Sequence, residues 1–265
     1  MTNEKSIKGL FIYLLVGIVA MFFFYLLMLS ALSADPTELE QLSKMTGISA
    51  SPELFALLSA IPNFILLVIA LIIGFFTAHK VGLQSVIIHQ NARQKSKSEW
   101  KKGIKLAIIL GSIVGIVLRG FDYVLQAFLP GSLTAMIQPY QTLELIVALL
   151  YGGIVEELLM RFGLMSLLVL VLWKLFDRKS AKPANWVFIF AILISSLLFA
   201  LGHYDATART TEMTAFIWFR MLFLNGIGGL VFGWMYWKHN LELAMLTHMF
   251  AHIAMHILML IFAFF

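Results

Sequence analysis

The stretch Leu145–Val171, LIVALLYGGIVEELLMRFGLMSLLVLV, decides how the rest of the chain reads. It is long and apolar enough for a membrane span, yet Glu156, Glu157 and Arg161 sit in its middle. An ionised side chain near a bilayer centre costs about 2.5–3.5 kcal/mol on insertion scales, so three cost on the order of 8–10 kcal/mol unless they pair or face a polar cavity. Something must offset that cost, and function is the default candidate.

The surroundings agree with a membrane setting. The chain has 265 residues, of which 61% are hydrophobic and 12% charged, and its mean hydropathy is +0.92. That leaves too little polar surface to cover a soluble globule, so the expected fold class is all-α, a polytopic transmembrane helical bundle. Apolar runs long enough to cross about 30 Å of hydrocarbon occur near 10–32, 54–78, 104–129, 144–174, 186–203, 215–237 and 241–265. They predict seven spans, with six and eight as the bounds, in a single integral membrane domain over 1–265. The first run is longer than a signal-peptide core and lacks a clear small-residue cleavage site before Ser30, so it reads as a retained span.

Charge sets the expected orientation. With the N-terminus cytoplasmic, fourteen Lys and Arg fall in inside segments, among them Lys5, Lys8, Lys97, Lys101, Lys102, Lys105, Arg178 and Lys238. Three fall outside, Lys44, Arg119 and Arg209, together with acids such as Asp35, Glu53, Asp122 and Glu212. The bias predicts N-in and C-out. It also explains the net charge of +5 without nucleic acid, which is not an expected partner. Trp100, Trp173, Trp186 and Trp237 stand near predicted span ends, as an interfacial belt requires. The polar segment His89–Lys102 reads as a solvated cytoplasmic loop. There is no cysteine, so thiolate chemistry is excluded and a metal would need His and carboxylate ligands.

On an α-helix Glu157 and Arg161, four apart, share a face and can pair. Glu156 lies about 100° round from Glu157 and about 140° from Arg161, which leaves it free for other work. Burial would favour a general-base role for it. Histidine extends the pattern. His203 ends the fifth span, and His248, His252 and His256 recur at i, i+4, i+8 on the seventh. Two His at i, i+4 with a carboxylate from another helix can hold zinc, and neutral imidazoles can instead orient water and stabilise an oxyanion. The spacing alone leaves both open. His256, about 80° round from His248, is expected to be structural. Gly226, Gly228, Gly229 and Gly233 include a Gly229-xxx-Gly233 pair, which predicts close helix packing.

In order, Glu156-Glu157 with Arg161 form EExxxR, Phe199 with His203 form FxxxH, and His248 with His252 stand where an HxxxN-like motif would be. These three motifs on successive spans resemble the CPBP family, the CAAX proteases and bacteriocin-processing or immunity proteins also called Abi. The resemblance covers roughly 143–262. It implies an intramembrane endopeptidase acting through activated water, with Glu156 as base, His203 orienting the water, His248 and residue 252 stabilising the oxyanion, and Glu157 and Arg161 as a supporting pair. His252 departs from the usual Asn and keeps zinc on Glu156, His203, His248 and His252 as an alternative to a metal-independent site. The implied substrate is a membrane-associated peptide or small membrane protein in the lipid bilayer of a cell membrane, a bacterial inner membrane being expected.

Two rival functions follow from the same residues. One is a non-proteolytic immunity protein or regulatory scaffold, which would not need all of Glu156, Glu157, His203 and His248. The other is a proton-coupled transporter, against which stands the lack of inverted-repeat halves. One geometric conflict also follows. Along straight helices Glu156 lies about 18 Å from the outer side while His203 lies near it. The two meet only if the long fourth span protrudes or tilts.

Overall fold

The fourth span controls the architecture because it is longer than a bilayer and is not α-helical throughout. The structure is a computed structural model that describes residues 6–89, 96–125 and 139–263. Among them are α1 (Ile7–Ala34), α2 (Pro36–Thr46), α3 (Pro52–Thr77) and α4 (Lys97–Val124), followed by the fourth span, α5 (Thr142–Phe176). Then come α6 (Asn185–Leu201), a short α7 (Tyr204–Ala208), α8 (Ala215–Lys238) and α9 (Leu241–Ala263). The described residues hold seven helices long and apolar enough to cross a membrane and no strand, so the chain is a multi-pass membrane protein with an all-helical fold. The expected spans match these helices, apart from 126–129 and 264–265, which lie outside the described residues.

Three helix pairs surround α5, and in one of them, α4 with α9, the contacts advance in the same direction along both helices. Helix α1 packs on α3, α4 on α9, and α6 on α8, while α5 touches α1, α3, α6, α8 and α9. The contacts are close because glycines replace side chains at the crossings. A Cβ on Gly111 or Gly115 of α4 would collide with the carbonyl oxygens of Thr247 and Ala251 on α9. This Gly111-xxx-Gly115 pair went unnoticed in the sequence, whereas the Gly229-xxx-Gly233 pair does what its spacing predicts. A Cβ on Gly229 would lie 2.8 Å from the Ser196 Cβ, and one on Gly233 3.1 Å from Ile192. With no hydrophobic drive between helices in lipid, such backbone approach is what holds them together.

The two ends of the bundle differ. At the lysine-rich end a 3₁₀ turn (Ala78–Val81) and residues 83–89 fold beneath the helices instead of extending into solvent. Glu242, in the first turn of α9, accepts hydrogen bonds from Tyr13 Oη (2.6 Å), Ser85 Oγ (2.7 Å) and the Ile87 amide (3.0 Å). It thereby ties α1, this segment and α9 together. His89, expected in a solvated loop, is buried and accepts the Ser85 amide at 2.8 Å. Of the rest of that loop, 90–95 lies outside the described residues, while Lys97–Lys102 form the exposed first turns of α4, begun by a Ser96/Glu99 capping box. Lys174 and Lys238 lie over Trp173 and Trp237 at 3.9 and 3.4 Å, a Lys–Trp belt at this end.

At the opposite end the sequence reading needs a second correction. Arg119 and Asp122 belong to the last turns of α4 and not to an outer segment. Asp122 is 1% exposed and accepts a bidentate pair from Arg220 of α8, 2.7 Å from Nε and 2.6 Å from Nη2. Arg119 adds a third bond at 3.1 Å. A carboxylate with two guanidinium partners offsets the burial that one partner alone would leave costly.

Gly111→Val should lower the stability of the detergent-solubilised protein by about 1–3 kcal/mol through overpacking. Thermal unfolding followed by size-exclusion chromatography measures it, with Gly120→Ala as control, since a Cβ at Gly120 meets nothing within 4 Å.

Candidate active site

Within α5 the backbone is π-helical from Ala148 to Glu156 and from Leu158 to Met165. In an α-helix Tyr151 and Glu156, five apart, would point about 140° away from each other. In π winding residues five apart are hydrogen-bond neighbours, and such segments occur often at functional sites. Both side chains line one cavity of about 160 Å³. Gly152 and Gly153 within the same stretch leave space for His252 and Met249 of α9, which a Cβ would displace.

The two glutamates part company here. Glu157 and Arg161 are fully buried at 0% exposure, with Arg161 Nη1 3.3 Å from Glu157 Oε1. Glu156 instead faces the cavity with its side chain 21% exposed. Arg161 donates Nη2 to the Gly229 carbonyl at 3.0 Å and lies over the rings of Phe199 (4.8 Å) and Phe232 (5.5 Å). The guanidinium thus joins α5 to α6 and α8 by one carboxylate, one carbonyl and two aromatic faces.

His248 stands between the glutamates. Its Nδ1 is 2.9 Å from Glu157 Oε1 and its Nε2 3.9 Å from Glu156 Oε2. The ring is stacked between Phe232 at 4.2 Å and His252 at 5.0 Å. A carboxylate only accepts, so Nδ1 carries the proton and, in the neutral ring, Nε2 offers a lone pair toward Glu156. The same logic fixes His203. Its Nδ1 lies 2.9 Å from the Phe199 carbonyl, so Nδ1–H donates and Nε2 is an acceptor. His203 lines the same cavity as Glu156 and His248, so the separation expected from straight helices does not hold. Helix α6 ends at Leu201, and the cavity forms where the π-wound fourth span passes that end.

His252 also lines the cavity, and neither of its ring nitrogens has a hydrogen-bond partner among the described residues. His256 does not line it; its ring stacks on Tyr140 at 5.8 Å with an interplanar angle of 3°. Two polar wall residues escaped sequence reasoning. Tyr151 is held by Asn63 Oδ1 of α3 at 3.0 Å and stacks on Phe24 of α1 at 5.0 Å. Asn225, on α8, donates to the Met221 carbonyl at 2.9 Å and presents the rest of its amide to the cavity. Polarity inside an apolar span was the available signal for Asn225, whereas nothing in the sequence marks Tyr151. Among the described residues no three His, Asp or Glu side chains are disposed to hold a metal ion. His248 directs Nδ1 to Glu157 and His203 directs Nδ1 to a carbonyl, which leaves Nε2 of each for a water or a metal ion, the orienting hydrogen bond being common to both uses.

The arrangement defines a membrane protein with a cavity into which one glutamate of a pair and three histidines project from the fourth, fifth and seventh spans. Over 138–254 the sequence matches the family described as type II CAAX prenyl endopeptidase Rce1-like. The match takes in all three motifs and stops two residues before His256. No curated protein and no solved structure matches the chain.

Glu157→Gln removes the charge that Arg161 faces and should destabilise by about 3–5 kcal/mol, since a buried guanidinium would lose its only carboxylate. Thermal unfolding beside Glu156→Gln, expected to stay near wild type, separates the two roles.

Proposed function

We propose that the chain is an intramembrane endopeptidase that hydrolyses a membrane-associated peptide or small membrane protein by water activated at Glu156. The observation carrying this reading is that of Glu156, Glu157 and Arg161 only Glu156 lines the cavity, with His203 and His248 on the same wall. The match of 138–254 to the Rce1-like family supports peptide hydrolysis in general. The cell membrane is proposed to be a bacterial inner membrane with the lysine-rich end cytoplasmic, which rests on the distribution of Lys and Arg.

In the proposed cycle Glu156 takes a proton from water as the oxygen attacks the scissile carbonyl. His203 Nε2 accepts the second water hydrogen and orients the attack. Glu156 then returns its proton to the leaving amine, so that a carboxylic acid and an amine leave the site. Neutral His248 has no free N–H, because its only proton is directed at Glu157. A donor to the oxyanion therefore comes from His252, or from His248 Nε2 when its imidazole is doubly protonated. A histidine at 252 serves as donor where the family commonly places Asn. The cavity wall is mainly apolar, with Leu118, Phe199, Phe232 and Met255, which suits an aliphatic or aromatic side chain next to the cleaved bond.

Glu156→Ala should reduce cleavage of a reporter peptide by about 10²–10⁴-fold, the range for a lost general base. Folding should be unchanged, and unimpaired cleavage by the variant would overturn the assignment. Water activation by Glu156 alone, as proposed, predicts activity that survives chelation, with mass spectrometry finding far less than one zinc per chain in both wild type and His248→Ala/His252→Ala. Stoichiometric zinc lost in the variant would replace this mechanism with a metal-assisted one.

A further inference from the structure

A hydrolase inside a membrane needs a supply of water, and the buried polar atoms show where it can run. Below the cavity, toward the lysine-rich end, the interior is packed with apolar side chains, among them Tyr13, Leu158, Phe162, Met165 and Met245. Beneath those, Glu242 fastens the 83–89 segment under α1 and α9. Asn240 Nδ2 and Glu242 Oε2 are buried without a partner beneath that layer among the described residues, but a water crossing the apolar layer itself would cost several kcal/mol of dehydration.

The opposite direction is different. His252 lines the cavity with Nδ1 and Nε2 buried and unpartnered among the described residues. Its ring lies 6.3 Å from Tyr140, which stacks on His256 at 5.8 Å, and the His256 Nδ1 is again buried without a partner. Arg119 donates Nη2 to Tyr140 Oη at 3.3 Å, and its Nε too is buried and unpartnered. Leu118 and Met255, the neighbours of Arg119 and His256, line the cavity, so the file of polar groups begins where the cavity ends. Buried polar groups in native proteins are almost always paired with protein or ordered water, and a site with several such groups in a row is polar enough to hold water.

We propose that water reaches Glu156 from the end of the bundle opposite the lysines, along a file formed by His256, Tyr140, Arg119 and His252. This explains the stripe at 248, 252 and 256: the first histidine serves the glutamates, and the next two line the supply. It also gives the Asp122–Arg220 pair a role, since Asp122 holds Arg119 at 3.1 Å in reach of Tyr140. That the water is consumed in hydrolysis rests on the reading of Glu156 above; the file itself does not.

Because the chain has no cysteine, single thiols report without background. In lipid nanodiscs a charged methanethiosulfonate would be applied to His256→Cys, His252→Cys and Ile257→Cys. Residue 257 is adjacent to the file but 50% exposed on the lipid side. Only a hydrated thiol ionises and reacts, so modification at 256 should exceed that at 257 by about tenfold or more, with 252 slower than 256. Radiolytic footprinting of the unmutated protein should oxidise Tyr140 and Met255 well above Met235, which is 0% exposed in the apolar core. Equal rates at 256 and 257, faster modification at 252 than at 256, or Tyr140 and Met255 no more oxidised than Met235 would overturn the route. If labelling is as expected but Glu156→Ala still cleaves, the route stands and the assignment of Glu156 as base falls; the reverse pattern removes the route alone.

Discussion

The burial of Arg161 beside Glu157 is the constraint on which the rest of the structure depends. A guanidinium at 0% exposure within the bundle must have every side supplied, and each supplier fixes another element. The Gly229 carbonyl brings α8 within reach, which is feasible because Gly229 and Gly233 let α8 lie against Ser196 and Ile192 of α6. That places Phe199 over the guanidinium, and one helical turn later His203 at the cavity. On the other side Glu157 holds His248, which sets the rotation of α9; Gly111 and Gly115 then admit α4 against α9. The catalytic carboxylate of the proposal is the residue left over once this pair is satisfied.

The second determinant is helical winding. An α-helical fourth span would keep Ala148, Gly152 and Glu156 on one face but turn Tyr151 about 140° from Glu156. In π winding the repeat changes from four residues to five, so a phenol, a glycine backbone and a carboxylate all line one cavity. The extended π segment is stable here because neighbouring helices fill the wider groove: His252 over Gly152, Met249 over Gly153, and Ala70 of α3 over Gly163.

Much of this was legible in the sequence for reasons that can be stated. Span number follows from hydropathy, because a bilayer allows few alternatives to a long apolar helix. The Glu157–Arg161 pairing follows from spacing, and the family resemblance from three ordered motifs. What was hidden depends on tertiary contacts. Asp122 and Arg119 read as an outer segment because charges near a span end usually reach water, yet Arg220 from another helix holds Asp122 inside. His89 read as solvated because a polar run surrounds it, yet Glu242, far along the chain, draws its segment into the bundle. The π winding leaves no periodic mark, since it shifts a register within a run that is apolar on every side.

The two ends of the bundle solve opposite problems with the same kind of group. At the lysine-rich end a buried carboxylate, Glu242, collects three donors and closes the interior against solvent. At the other end a buried carboxylate, Asp122, collects two guanidiniums and leaves donors to spare, on Arg119 and on the histidines beyond it. What separates the two ends is continuity: among the described residues Asn240 Nδ2 is also buried and unpartnered at the lysine-rich end, but the apolar layer of Leu158, Phe162, Met165 and Met245 stands between it and the cavity, whereas Arg119, His256 and His252 follow one another up to the cavity that Glu156 lines.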